Sequence, residues 1–347
     1  MKQSPFISIV VPVLNREDHI ARCLDSLMEL DYPSFEIIVV DNGSTDRTRE
    51  IVSQYPVKMI VEKRLGSYSA RNKGIETGQG KIIAFTDSDC IVDRSWLTNL
   101  VQGYSEEAVG AVGGQVLPYE TEGLIDQFLS LGPLQVFHSN KTVTVERKRN
   151  RFLSGGLGSG NMSFRSNVLD EVNGFSTDLT VCGDYDLSWK VQRAGYQIIY
   201  EPKAIVYHKL RTTLPQLVRQ FFGLGESEPH LLKMQPEGFS YIGIKTYILP
   251  NYEFRCKLPV QTLLNIDFLN LATLGLFLAV VYPRLLYVLG TIFLVACWQT
   301  WRKTREIVNK TRSIRWFLLF PMLSIIRIYS YTLGRVVGGI RHKVVSV

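Results

Sequence analysis

Cysteine is scarce and unpatterned in this sequence: Cys23, Cys90, Cys182, Cys256 and Cys297 are scattered over 347 residues with no C-x-x-C spacing. That excludes a zinc ribbon, a redox pair and a disulfide framework, and reads as free thiols in a reducing compartment. The opening stretch MKQSPFISIVVPV lacks the sections of a secretion signal, so the first domain is expected to be cytoplasmic. No Gly-x-Gly-x-x-Gly opens a first βα turn, and Gly158-Ser159-Gly160-Asn161 has neither that spacing nor that place, so a dinucleotide oxidoreductase is unsupported. Acids almost vanish after residue 254. Residues 255–347 hold 13 Lys+Arg and two Asp+Glu, a balance of +11, whereas residues 1–254 hold 26 and 30, a balance of −4. The net +7 therefore belongs to the tail. Its cations flank long apolar runs, which indicates an anionic membrane surface as partner and not a nucleic acid.

What is present before the tail alternates between β-branched runs and amphipathic segments, the pattern of an α/β layer fold. Strands are expected at 7–13, 36–40, 57–61, 81–86 and 108–116. Between the first two, residues 16–30 place Ile20, Cys23, Leu24, Leu27 and Leu30 on one helical stripe. Ser44 is expected to cap a helix from Thr45, and Asp93 one reaching about Tyr104. Residues 118–153 lose periodicity. They run through Lys141, Arg147, Lys148, Arg149 and Arg151, a solvated loop or a contact for phosphates or anionic lipid, into the glycine-rich stretch 155–160, either a hinge or a close approach of backbone to a ligand. A short helix, a helix at 184–194 and strands near 196–200 and 204–207 follow.

The tail, 255–347, is expected to be a helical membrane region, set apart from a domain over 1–254 that includes a connecting interfacial segment from about 210. Residues 263–282 carry one acid, Asp267, and after Pro283-Arg284 a second apolar run, 285–301, follows. Each is about long enough to cross a bilayer core, and the short break predicts a helical hairpin. Six Lys/Arg and one Glu in 302–315 point the chain back to the cytoplasm. The apolar run at 316–326 is short before Arg327, so 316–340 is expected to be an interfacial or re-entrant helix.

The chemistry-bearing residues gather where apolar strands end. Asp87-Ser88-Asp89 leaves the run Ile82–Phe85, and Asp41-Asn42-Gly43-Ser44-Thr45-Asp46 leaves another. Pro12, Leu14 and Asn15 close the first strand. Open α/β sheets bind ligands at that edge, and paired carboxylates there suit a hard divalent cation bridging to a diphosphate. The same pattern also suits ordinary turns, with Asp89 or Asp93 as a helix cap.

The motifs SIVVPVLN, EIIVVDNGSTDRT, ARNKG, FTDSDC, GSGNMSFR and GDYDLSWKVQRAGY, spread from Ile7 to about His208, resemble the nucleotide-diphospho-sugar transferases of glycosyltransferase family 2. The resemblance implies a GT-A fold with a mostly parallel central sheet, a nucleotide-sugar donor, and Mg²⁺ or Mn²⁺. It implies that Pro12, Leu14, Asn15, Glu17, Asp41 and Asp87 hold the base and ribose. Arg71 and Asn72 would line the diphosphate, Asp89 would bind the metal with His208 as a further ligand, and Asp184 would be the catalytic base. The family commonly has Glu-Asp where this chain has Gly183-Asp184, and Asp186 is the next candidate base; both acids also suit a helix N-terminus. Processive synthases of the wider family carry Gln-x-x-Arg-Trp. Here Gln216-Leu217-Val218-Arg219-Gln220 lacks the Trp, so transfer of single sugars is expected. The expected activity is inverting transfer to a lipid-linked or polysaccharide acceptor in cell-envelope or exopolysaccharide synthesis. A polyprenyl-phosphate transferase and a non-catalytic membrane scaffold stay open as alternatives.

Overall fold

The computed structural model describes residues 4–131, 139–147, 153, 155–238, 240–245, 252–256, 261–267, 298 and 301–346. The chain divides into two compact units, one made of 1–122, 132–147 and 153–210, the other of 123–131, 148–152 and 211–347.

The first unit is built on a nine-stranded sheet ordered β3-β2-β1-β4-β8-β6-β9-β5, with β7 on β9. The strands are β1 (Ile7–Val13), β2 (Phe35–Asp41), β3 (Lys58–Val61), β4 (Ile82–Phe85), β5 (Cys90–Val92), β6 (Val109–Tyr119), β7 (Val143–Thr144), β8 (Met162–Arg165) and β9 (Gln197–Lys209). Strands β3, β2, β1 and β4 are parallel, as are β6 and β9, and β8, β5 and β7 enter antiparallel. This is the expected α/β fold. Residues 197–209 form one strand where two were expected, and a register shift against β6 between Gly114 and Gln115 absorbs the irregularity.

Period-two alternation in β1 sorts its side chains onto two layers. Ile7, Ile9, Val11 and Val13 join α1 (Ile20–Met28) through Ile20, Cys23, Leu24 and Leu27, and α4 (Trp96–Gln102) through Trp96, Leu97 and Leu100. Val10 points the other way, onto α3 (Ser67–Thr77), where a Cβ on Gly74 would strike its side chain. The expected cap at Ser44 is corrected. The helix is α2 (Thr48–Val52), and Asp46 accepts from the Thr48 N–H at 3.0 Å, while Ser44 Oγ accepts from the Asn15 N–H at 3.0 Å. A carboxylate nearer the helix displaces the hydroxyl from that task. Asp93 takes the Ser95 N–H at 2.9 Å, in the turn before α4. The unit also holds α6 (Ser166–Glu171) and α7 (Gly183–Arg193).

The second unit contains α5 (Leu124–Ser130), α8 (Leu214–Lys233), a helix over 301–311, α9 (Trp316–His342) and a four-stranded sheet ordered β11-β10-β12-β13. Its strands are β10 (Ser240–Lys245), β11 (Tyr252–Cys256), β12 (Thr262–Asp267) and β13 (Val345–Ser346). The first expected span therefore does not begin as a helix: 263–267 pair in parallel with β10, so their backbone groups are satisfied between strands. Residues 268–282, and 285–301 apart from Trp298 and Trp301, lie outside the described residues. Among the described residues, α9 is the one helix long and apolar enough to cross a membrane. It runs unbroken through Pro321.

Candidate active site

Parallel neighbours β2, β1 and β4 end at one edge of the sheet, and that edge carries the site. Val13 pairs with Asp41 in register, and the Asn42 N–H donates to the Val13 carbonyl at 2.9 Å. Pro12 lies beyond the last β1–β4 pair, Val10 with Phe85, so its missing N–H costs no hydrogen bond on that side. Asn15, at φ 52°, accepts from the Thr45 N–H at 2.8 Å and so ties the turn after β1 to the turn after β2. Glu17 accepts from the Arg47 N–H at 3.0 Å. Leu14 and Asn15 are exposed at this edge, whereas Asp41 is fully enclosed. Burial raises the Asp41 carboxyl, but Arg49 and the turn around Ser44 and Gly43 outweigh it, and the net shift is downward. The Arg49 Nε donates to it at 2.7 Å. Asp41 thus organises the turn, and Arg49 is the group that reaches solvent above it.

Beyond β4 the chain presents Asp87 and Asp89. β5 pairs antiparallel with β9 and sets Cys90 opposite His208. The result is a cluster in which ligand atoms of Asp87, Asp89, Cys90 and His208 all lie within 4.8 Å of one another. His208 Nε2 is 3.4 Å from Asp89 Oδ1, and Arg16 Nη2 is 3.9 Å from Asp89 Oδ2. Burial, then the charges of Asp87 and Asp89, push the Cys90 thiol well up. The oxygen-rich donor set with one imidazole fits a small divalent cation such as Mg²⁺ or Mn²⁺. A further fit to an anionic ligand comes from Arg71. Its guanidinium is buried, Nη2 donates to Asp87, and Nε has no partner. A buried unpaired donor beside a carboxylate cluster is costly unless an acceptor arrives.

Asp184 stands in the first turn of α7. Its Oδ2 accepts from the Ser159 N–H at 3.2 Å and its Oδ1 from the Tyr185 N–H at 3.0 Å. Burial raises its carboxyl above the ordinary carboxylate value, opposed in part by the Tyr185 N–H and the Arg71 charge. Asp186 is different. It is buried, accepts from Ser176 Oγ at 2.6 Å and pairs with Lys190 at 3.2 Å. Asp184 and the metal-type cluster meet through two links. Arg71 acts on both Asp87 and Asp184, and consecutive residues Ser159 and Gly160 touch one each, a Cβ on Gly160 lying 3.2 Å from Asp87 Oδ2. Asn161 anchors that loop: buried, it accepts from Trp96 Nε1 at 2.8 Å and donates to the carbonyls of Gln115 and Ala204.

Of the residues expected from sequence, Asp87, Asp89, His208, Arg71 and Asp184 are brought together, and Pro12, Leu14, Asn15 and Glu17 line the adjoining strand end. Asn72 stands apart, with its amide clamped on the Phe175 backbone, donating and accepting at 2.9 Å. The motifs did not mark Arg16, Arg49 or Cys90 as site residues. Cys90 was legible in principle as the next residue of FTDSDC; the others needed contacts between distant segments.

Comparison with known proteins bears on the family and the fold. Residues 8–172 match the family model described as glycosyl transferase family 2. The chain is 31% identical over 234 residues to glycosyltransferase AglE of Haloferax volcanii, covering 65% of this chain and 73% of that protein. It is 26% identical to the poly-β-1,6-N-acetyl-D-glucosamine synthase of Staphylococcus epidermidis over 62% of this chain, spanning about half (52%) of the synthase. Among solved structures, a mannosyltransferase of Pyrobaculum calidifontis, in complex with GDP-Man and Mn²⁺, aligns over 96% of this chain and 88% of its own, with a TM-score of 0.56 and 18% identity. S. aureus TarS 1-349 with UDP-GlcNAc aligns over 66% and 67% respectively, with a TM-score of 0.51 and 22% identity. Both likenesses concern the fold.

Proposed function

Because the chain belongs to glycosyltransferase family 2, and so is a glycosyltransferase, we propose that it moves single sugars with inversion from a nucleotide-diphospho-sugar to a glycan or lipid-linked acceptor in cell-envelope or exopolysaccharide synthesis. The observation that carries this reading is the meeting of Asp87, Asp89 and His208 with Asp184 through Arg71 and the Ser159–Gly160 pair. The donor's diphosphate lies against Arg71, whose unpaired Nε receives an acceptor oxygen. Asp89 and His208, joined by Asp87, which the cluster brings to the metal position and not to the ribose, would hold a divalent cation, and when bound it would supply positive charge against the leaving diphosphate. Asp184 takes the proton of the acceptor hydroxyl as its oxygen bonds to the anomeric carbon and the bond to the diphosphate breaks. One displacement inverts the configuration. A carboxyl raised by burial is a better base than a solvated one.

Non-processive transfer is supported by Gln216. Instead of belonging to a Gln-x-x-Arg-Trp signature, its Oε1 accepts from the Thr212 N–H at 3.1 Å and caps α8.

The reading extends to a membrane surface. Helix α9 is packed along α8: a Cβ on Gly225 would strike the Tyr331 carbonyl, and one on Gly334 or Gly338 the carbonyls of Phe222 or Glu226. Buried Arg335 donates through Nε to buried Glu228 at 2.7 Å. Crossing a bilayer would carry α8, with Arg219, Glu226 and Lys233, into hydrocarbon at high cost. α9 is therefore read as lying in the plane of the membrane. Its exposed stripe of Leu318, Met322, Ile325, Leu333 and Ile340 meets acyl chains, and the neighbouring cations meet anionic headgroups.

The test is calorimetry with UDP, GDP and dTDP plus Mn²⁺, followed by a nucleotide-sugar screen for transfer or hydrolysis by the detergent-solubilised chain. Metal-dependent binding and turnover are expected. Binding of none of the three would favour a scaffold, and unchanged turnover in Asp184→Asn would favour an already ionised polyprenyl-phosphate acceptor.

A further inference from the structure

Asp87 and Asp184 are joined through an aromatic block that no motif marks. Tyr68, in α3, is buried, stacks on Phe175 with ring centroids 5.3 Å apart, and sits under the Arg71 guanidinium at 5.7 Å. Its hydroxyl accepts the Gly183 N–H at 2.8 Å, the first N–H of α7. A Cβ on Gly183 would lie 2.6 Å from two carbons of the same ring, so the ring occupies the volume of any side chain at 183. The backbone entering that turn is strained. Cys182, buried and not glycine, has φ 64°, a left-handed conformation that persists only where neighbours enforce it. Asp184 is the next residue but one.

We infer that Tyr68 is a positioning residue for the transfer: its hydroxyl holds the strained entry of α7 and its ring fixes Arg71, so one side chain sets the gap between Asp184 and Asp87. This rests on the transferase reading above. Because a misplacement of about 1 Å can cost about a hundredfold in rate, the hydroxyl should matter for turnover far more than for nucleotide binding.

Tyr68→Phe keeps the ring and its stacking and removes only the acceptor of the Gly183 N–H. Three quantities are measured on the full chain: melting temperature, affinity for UDP, GDP and dTDP with Mn²⁺, and turnover with whichever nucleotide-sugar the wild type uses. The expected result is a fall in kcat of about tenfold to a hundredfold, with nucleotide affinity held within about twofold. Gly183→Ala should lower kcat in the wild-type background, and much less in a Tyr68→Leu background, where the ring has gone. Equal kcat in wild type and Tyr68→Phe would overturn the inference. So would a parallel loss of melting temperature, affinity and kcat, which marks a merely structural role. A wild type that turns over no nucleotide-sugar would refute the transferase reading itself, and the inference with it.

Discussion

Asp89 and Asp184 sit in different electrostatic settings, and substitution separates their roles. Asp89 faces Arg16 and His208, whereas Asp184 is answered by backbone N–H groups and the more distant charge of Arg71. Asp89→Asn is expected to lower turnover about a thousandfold or more, with an unchanged melting curve and lost Mn²⁺ dependence of nucleotide binding. Asp184→Asn is expected to spare nucleotide affinity and to lower kcat by about 10² to 10⁴. The pH dependence follows from the raised carboxyl. Turnover should fall as pH drops through a value above the ordinary carboxylate pKa. A raised folded pKa contributes stability below the unfolded value, and that contribution is lost as pH rises through the folded one. The wild type should therefore lose this contribution to stability as pH rises through the Asp184 pKa, which thermal melting across pH measures. Asp87, Asp89 and Asp184 were legible because each stands inside a contiguous motif. Tyr68 was not, because its partner Gly183 is 115 residues away.

Elements were legible where burial is periodic and illegible where a partner strand decides. The stripe of α1 matches its buried face, and the continuous β-branched run of β1 matches a strand buried on both faces. By contrast, β5 and β8 are short segments held by antiparallel neighbours, and 263–267, the first residues of the expected span 263–282, pair with β10 as a strand. The pairing of α8 with α9 is another tertiary result, and it is directly testable. Glu228→Gln leaves Arg335 with a buried, uncompensated charge and is expected to destabilise by about 3–5 kcal/mol. Removing the exposed Lys303–Glu306 pair should cost less than about 1 kcal/mol. Urea denaturation of the three chains measures both.

For the whole molecule, the asymmetry of charge makes membrane binding a quantitative expectation. The full chain should sediment with vesicles of phosphatidylcholine and phosphatidylglycerol, and less with phosphatidylcholine alone. Binding should weaken as salt rises from about 0.1 M, where the Debye length is about 10 Å, to about 1 M, where it is about 3 Å. Leu318→Glu with Ile325→Glu should reduce it further while leaving nucleotide affinity unchanged; equal sedimentation by this variant would refute the in-plane reading of α9. By itself the sequence determined the α/β class, the family and the strand ends that carry acids, because these depend on local pattern and on residues adjacent in the chain. Only tertiary structure decided that Asp184 and Asp87 share Arg71, that Asp41 is enclosed by its own turn, and that α9 lies along a polar helix. Each of those depends on side chains meeting across long separations, where burial and pairing, not local preference, set the free energy.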